Sequence, residues 1–336
     1  MHRSNSLLIT LTFAWSISSI ATSATAQILR QNQASTGQSV TLLHHNRERE
    51  YRIHVPASYD SNRPVPLVVF LHGGGGNSAQ GSRMGMTTVA DKHGFIVVYP
   101  NAIEKHWNDG RKAEHYAQHD ATIDDVEFIV AVIEKVSSEY KVDRSRVYAA
   151  GASNGGFMSQ RLAIDRPDLF AAVGIMIATM GKPLSESFAP KLPVSVLYMN
   201  GTQDPLVPYD GGPVVVELFP NLAKFRRGGP VGRGICIATD EAVELWVRRN
   251  GLKSKRPTKS SLPDRDRDDG STVEQTMWTG GRDGTAVALY RVIGGGHTVP
   301  GGMQYLPERI IGKTNRDIDG LETIWQFFDE HGRKSK

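Results

Sequence analysis

Five short apolar segments constrain this chain more than anything else in it. PLVVFL (Pro66–Leu71), FIVVY (Phe95–Tyr99), VYAA (Val147–Ala150), AAVGIMI (Ala171–Ile177) and VSVLYM (Val194–Met199) carry no charged residue and show no polar–apolar alternation. Strands of that kind have no side to turn toward water, so they belong in the middle of a largely parallel sheet. Between and after them lie helical patterns at Asp124–Tyr140, Asp240–Asn250 and Leu321–Phe328, with apolar residues three and four apart. Asp124 and Asp125 suit the amino terminus of the first of these. Strands alternating with helices predict an α/β fold: a mainly parallel central sheet with helices on both faces. In such folds ligands bind beyond the carboxyl ends of the strands. Two earlier strands, Val40–Leu43 and Tyr51–Val55, are expected to flank the polar turn HHNRER. The charged stretch from Ser254 to Ser271 reads as a solvated loop.

The amino terminus has a different character. His2 and Arg3 precede the apolar run LLITLTFAWSISSIA and a small-residue exit ending ATA before Gln27. A basic head, an apolar middle and an A-x-A exit describe a signal peptide over residues 1–26, with a single catalytic domain expected over 27–336. No later stretch approaches the length of a membrane span, and the expected destination is the periplasm or the extracellular space. The 39 basic and 35 acidic residues are dispersed apart from Arg226, Arg227 and Arg233, which excludes the concentrated basic stripe of a nucleic-acid binder. The one cysteine, Cys236, has no internal disulfide partner and reads as a buried small residue.

Directly after VYAA comes GASNGG, residues 151–156, and then the helix-compatible MSQRLAIDR. Strand, G-x-S-x-G turn and helix are the setting of a nucleophile elbow, with the Ser153 hydroxyl raised above the sheet and glycines relieving the crowding around it. A serine hydroxyl needs a base to take its proton, and the base needs an acid to orient it. Of the 11 histidines, His297 in GGGHTVPGG follows the apolar strand Ala286–Ile293 and has glycines on both sides. His44, His45, His106, His115 and His119 sit in polar, unpatterned surroundings, and His54 lies in a strand. The order serine, acid, histidine along such folds puts the acid in GTQDPLVPYDGG, after the strand ending at Asn200. Asp204, stiffened by Pro205, is favoured there over Asp210.

The oxyanion formed in acyl transfer needs backbone amides. Asn154, next to the serine, supplies one. The glycine run of HGGGGN after PLVVFL supplies the other, from Gly74, with Gly75 as the alternative. No Gly-Lys-Ser/Thr follows that run, which excludes a phosphate-binding loop. His72 is expected to brace the loop.

The stretches LHGGGGN, GFIVVYPNA, WNDGR, DDVEFI, VYAAGASNGGFMSQRLA, DLFAAVG, NGTQDPLVPYDGG, ELWVRRNG, GGGHTVPGG and IWQFF run in order from Leu71 to Phe328. As a set they resemble the secreted α/β-hydrolases known as polyhydroxybutyrate depolymerases and feruloyl esterases, relatives of the family 1 carbohydrate esterases. The resemblance implies an esterase with no metal and no cofactor, with Ser153, His297 and Asp204 in the roles above. It implies cleavage of feruloyl or acetyl esters of plant polysaccharide, or of short hydroxyalkanoate oligomers. It also suggests that Trp107 of WNDGR lies by the substrate pocket; a core tryptophan stacked under the loop is the other reading. The loops holding Trp107, Asn108 and Asp109, with the insertion Pro213–Arg233, are expected to shape that pocket. Where the family often has tryptophan after His-Thr, this chain has Val299, and cysteines common in relatives are absent at the oxyanion loop and at Leu252. A serine peptidase on the same fold, or a binding protein that kept the scaffold, are the competing readings.

Overall fold

A computed structural model describes residues 37–111, 123–215 and 232–332. The expected signal peptide 1–26, His115 and His119, and Arg226 and Arg227 of the 213–233 insertion lie outside the described residues. The first half of the chain forms β1 (Gln38–His44), β2 (Arg47–His54), β3 (Val65–Leu71), α1 (Ser78–Ser82), α2 (Met86–His93), β4 (Ile96–Pro100), α3 (Asp125–Glu139), β5 (Val142–Ala152) and α4 (Asn154–Asp165). The second half forms β6 (Ala172–Met176), α5 (Lys182–Glu186), β7 (Ser195–Gly201), β8 (Gly212–Val215), β9 (Gly232–Cys236), α6 (Thr239–Arg249), β10 (Thr258–Ser261), β11 (Thr272–Trp278), β12 (Val287–Ile293), α7 (Glu308–Ile311) and α8 (Gly320–His331).

Ten strands make one sheet in the order β1-β2-β4-β3-β5-β6-β7-β12-β11-β10, and β8 pairs with β9 separately. From β4 to β12 every pairing is parallel. The pairs at the two edges are antiparallel. The five apolar segments are the central strands, and their side chains divide with a period of two. Leu67, Val69 and Leu71 enter one core, with Val173, Ile175, Val196 and Tyr198. Val68 and Phe70 enter the other, with Ala172, Met176, Leu197 and Met199. Helices α3, α4 and α6 cover the first face through Phe128, Ile129, Phe157, Leu162 and Trp246. Helices α2 and α8 cover the second through Met86, Val89, Ile324, Trp325 and Phe328.

Two expectations need correction. The β1–β2 turn is tighter than HHNRER: only His45 and Asn46 leave the ladder, both at positive φ, as a two-residue hairpin turn demands. The stretch 254–271 is not wholly loop, because Thr258–Ser261 forms β10 on β11. All four β10 residues are exposed. A polar edge strand has no buried face to impose a pattern, and its polarity discourages pairing with other chains.

Chain order steps outward from β3 to β4, then crosses back to β5 on the other side of β3. The crevice beyond the carboxyl ends of β3 and β5 is therefore a switch point of the sheet. One buried ion pair fixes its flank. Asp124 caps α3 by accepting from the Glu127 amide at 3.0 Å, which leaves Asp125 to accept from Arg49 Nη2 at 2.7 Å and from the Asn108 amide at 2.8 Å. Burial pushes the Asp125 carboxyl above its ordinary range, against the pull of Arg49. Replacing Arg49 by methionine strands that carboxylate and is expected to cost about 3 kcal/mol in urea unfolding. The double variant with Asp125→Asn should recover part of the loss.

Candidate active site

Ser153 closes β5 and opens α4 with φ 54° and ψ −122°, a backbone state that costs a non-glycine residue about 1–3 kcal/mol. The glycines around it are required by contact. A Cβ on Gly155 would stand 2.2 Å from the Leu71 carbonyl oxygen, one on Gly151 2.4 Å from the Gly155 carbonyl carbon, and one on Gly156 2.7 Å from Ala178 Cβ. Helix α4 thus lies backbone to backbone on the end of β3. Ser153 is half-buried while its neighbours on both sides are buried, so the packing around it is tight everywhere except at the serine. Met176, at the end of β6, accepts from the Ser153 amide at 2.9 Å.

The histidine and the acid meet. His297 Nδ1 lies 2.6 Å from Asp204 Oδ2, and both side chains are nearly sealed from solvent. Asp204 Oδ1 accepts from the amides of Leu206 and Val207, so both carboxylate oxygens are held. Asp210 is exposed and takes no part. The loops carrying the pair are bonded directly, Gln203 N–H donating to Gly295 O at 2.9 Å. The glycines before His297 have a purpose the sequence did not reveal: the segment 311–313 runs against them. A Cβ on Gly296 would sit 2.2 Å from the Ile311 carbonyl oxygen, and Tyr305 Oη donates to the His297 carbonyl at 3.1 Å.

The loop after β3 passes close to the serine: a Cβ on Gly73 would lie 3.7 Å from Ser153 Cβ. The amide of Gly75 donates to Lys105 O at 2.8 Å and that of Gly76 to Gly73 O at 3.0 Å. The Gly74 amide makes no such bond among the described residues, which separates it from Gly75. The Asn154 amide, at the first position of α4, has no acceptor within its helix. Its side chain is fully engaged, accepting from the Trp107 amide at 2.8 Å and donating to Asp109 Oδ2 at 2.6 Å. Asp109 in turn holds Arg111 through both oxygens, and the Arg111 guanidinium lies over the Phe157 ring.

Trp107 has no exposed surface. Its indole N–H donates to His72 O at 3.0 Å, and its ring packs on the His72 imidazole. The expectation of a substrate contact is corrected: Trp107 stands as the core tryptophan beneath the loop. Asp109 is equally buried, so Trp107 and Asp109 lie beneath the loop, while Asn108 and Gly110 of the same motif are half-buried. His72 braces the loop, one ring nitrogen 2.8 Å from Gly73 O and the other accepting from the Ala102 amide at 3.2 Å. Cys236 is buried and its thiol is pushed up to about 11 by burial, which leaves it inert. Among the described residues no group of three or more metal-ligating side chains is assembled, and no helix is long and apolar enough to cross a membrane. A separate groove between α6 and the β10–β11 edge, lined by Trp278, Lys259 and Arg291 among others, contains none of these residues.

The strand order and the placement of these loops define an α/β-hydrolase. The profile of the family described as Esterase PHB depolymerase matches residues 50–256, and the chain belongs to that family; it is a carboxylic ester hydrolase. NocK of Nocardia uniformis subsp. tsuyamanensis, a protein assigned as an esterase, is 31% identical over 84% of this chain and 79% of its own length. A protein assigned as feruloyl esterase C in Aspergillus niger is 31% identical over 60% of this chain and 72% of its own. The acetyl xylan esterase from Aspergillus awamori shares the fold, with a TM-score of 0.52 and 17% identity over 79% of this chain and 95% of that one.

Two outcomes test the framework. Gly155→Ala drives a methyl into the β3 backbone and should destabilise the protein by about 3 kcal/mol, measured by thermal unfolding, with loss of activity. Burial lowers the His72 pKa from 6.5 to about 4. The unfolded chain therefore takes up this proton first, so the contribution is intact above pH 6.5 and is lost as pH falls toward about 4. Urea titrations should show the wild type losing up to about 3 kcal/mol more than His72→Gln across that window; parallel curves would contradict it.

Proposed function

We propose that Ser153 is the nucleophile, His297 its base and Asp204 the orienting acid of an exported serine esterase, with residues 1–26 a signal peptide and 27–336 one catalytic domain. The observation that carries this reading is the 2.6 Å contact of His297 with Asp204 across 93 residues of sequence, on the same sheet end as a serine held in the strained elbow conformation. With Nδ1 committed to Asp204, Nε2 is the nitrogen that receives the Ser153 proton. The serine oxygen attacks the ester carbonyl, and the amides of Gly74 and Asn154 bind the oxyanion. The tetrahedral intermediate collapses as His297 returns the proton to the departing alcohol. Water then attacks the acyl-enzyme by the same route, giving the acid and the free serine. No step calls for a metal or a cofactor.

Family membership and the feruloyl and acetyl xylan esterases among the similar proteins support small carboxylic esters as substrates: feruloyl or acetyl esters of plant polysaccharide, or short hydroxyalkanoate oligomers. The test compares methyl ferulate, a short acetyl ester, soluble 3-hydroxybutyrate oligomers and a matched amide. One ester class should dominate over the amide. Ser153→Ala should lower kcat/KM by at least about 10⁴-fold and Asp204→Asn by about 10³–10⁴-fold, and a fluorophosphonate should label Ser153 in the wild type. Undiminished turnover by Ser153→Ala would sink the assignment, and a preference for the amide would replace esterase by peptidase.

A further inference from the structure

The groove between α6 and the edge of the sheet takes no part in the chemistry proposed for Ser153. It is an open trough of about 570 Å³, within the roughly 300–1,000 Å³ range of small-molecule sites. Strand register builds its sheet side. Lys259 pairs with Thr276 and Ser261 with Glu274 across β10 and β11. Trp278, Thr276 and Glu274 of β11 lie opposite Val287, Leu289 and Arg291 of β12. With a side-chain period of two, Trp278, Thr276, Glu274 and Lys259 stand on the face that α6 covers, beside the buried Val243 and Leu289. From Trp278 to Glu274 the trough follows about 13 Å of strand.

The trough points toward the catalytic end of the sheet. Strand β12 runs parallel to β7, and Glu274 faces Arg291 near the carboxyl end of β12. The loops of Asp204 and His297 leave β7 and β12 at that same end. Tyr209, in the loop that carries Asp204, donates to Asp240 at 3.0 Å and accepts from Arg291 Nε at 2.8 Å. The head of the trough is thereby tied to the loop that holds the acid.

Its polar groups fall into two sets. Asp240 holds Arg291 through both oxygens, and Glu244 holds Arg248 at 2.7 Å. The Lys259 ammonium and the Glu274 carboxylate are exposed and take no hydrogen bond or ion pair among the described residues. The half-buried Trp278 ring packs on the core and also lines the trough. Asp240, Glu244 and Glu274 outnumber Lys259 and Arg291, so the trough does not draw an anion. A flat indole beside one open donor group and one open acceptor suits a ligand with apolar ring faces and hydroxyls at its edges, because a hydroxyl both donates and accepts.

We propose that this trough is a binding site for a neutral oligosaccharide. One sugar ring lies against Trp278, hydroxyls further along the chain are held by Lys259 and Glu274, and the chain leads on toward the crevice above Ser153. This rests on the reading of the substrate as an ester of plant polysaccharide and adds a second contact, with an unesterified stretch of the same chain.

Calorimetric titration of the mature protein tests it with xylohexaose, cellohexaose and mannohexaose, neutral chains without an ester, and with hexagalacturonate as the anionic control. At least one neutral chain should bind saturably. Its affinity should not change as salt rises from about 0.05 to about 0.5 M, since screening acts on charged ligands. Trp278→Ala and the double variant Lys259→Ala/Glu274→Ala should each weaken that binding about 10-fold or more, and Trp278→Phe should keep part of it. Trp278 packs on the core, so if its alanine variant loses the urea transition, the double variant at two exposed positions decides. Failure of every neutral chain to bind, equal affinity in wild type and the double variant, or a tighter, salt-sensitive hold on the galacturonate each overturns the proposal. No probe here carries an ester, so those outcomes leave the roles of Ser153, His297 and Asp204 standing; the esterase reading fails only if the wild type leaves every ester intact.

Discussion

The site depends on a contact between main chains. Helix α4 meets the end of β3 with only hydrogen atoms between the Gly155 Cα and the Leu71 carbonyl, closer than any side chain permits. That approach brings the first turn of the helix, with its open amides, beside the loop that leaves β3. It also forces the residue between β5 and α4 into a positive-φ conformation, because no relaxed turn is short enough. Three glycines in six residues are the chemical condition for this geometry, and the serine among them is placed by their packing.

Around that contact the supports are polar and buried, an uncommon choice in a protein interior. Asn154 carries its backbone to the crevice while its side chain ties into Trp107 and Asp109. Asp109 is tied to Arg111, and Asn108 to Asp125 and so to Arg49. Each of these groups would be costly to bury alone, and each is satisfied by the next. An apolar substitute would pack as well but would not fix direction, since a hydrogen bond constrains angle and a methyl contact does not. The network therefore acts on the orientation of two amides more than on the stability of the core.

How far the sequence discloses this varies with the physics of each part. Central strands and amphipathic helices were legible because burial on one or two faces imposes a period, and the elbow because close approach demands glycine. The loops of Asp204 and His297 and their order along the chain led to the expectation that the two meet, and their side chains are in contact. Strand β10 was not legible, since four exposed residues carry no pattern. Trp107 was read both ways because an indole serves equally as a platform or a brace, and only its complete burial decides. His106 reads as a surface residue among polar neighbours. Its setting depends on Arg233, 127 residues away, and local composition carries no trace of such a pairing.

The two histidines of the oxyanion loop show how charge is kept under control there. His72 beneath the loop is held neutral by burial, and His106 above it by burial and the adjacent guanidinium. Two imidazolium ions at these positions would attract any anion to the loop, product acid included, and would make its stability swing with pH near neutrality. Neutral rings brace the loop with hydrogen bonds and, in the mechanism proposed above, leave stabilisation of the oxyanion to fixed amide dipoles.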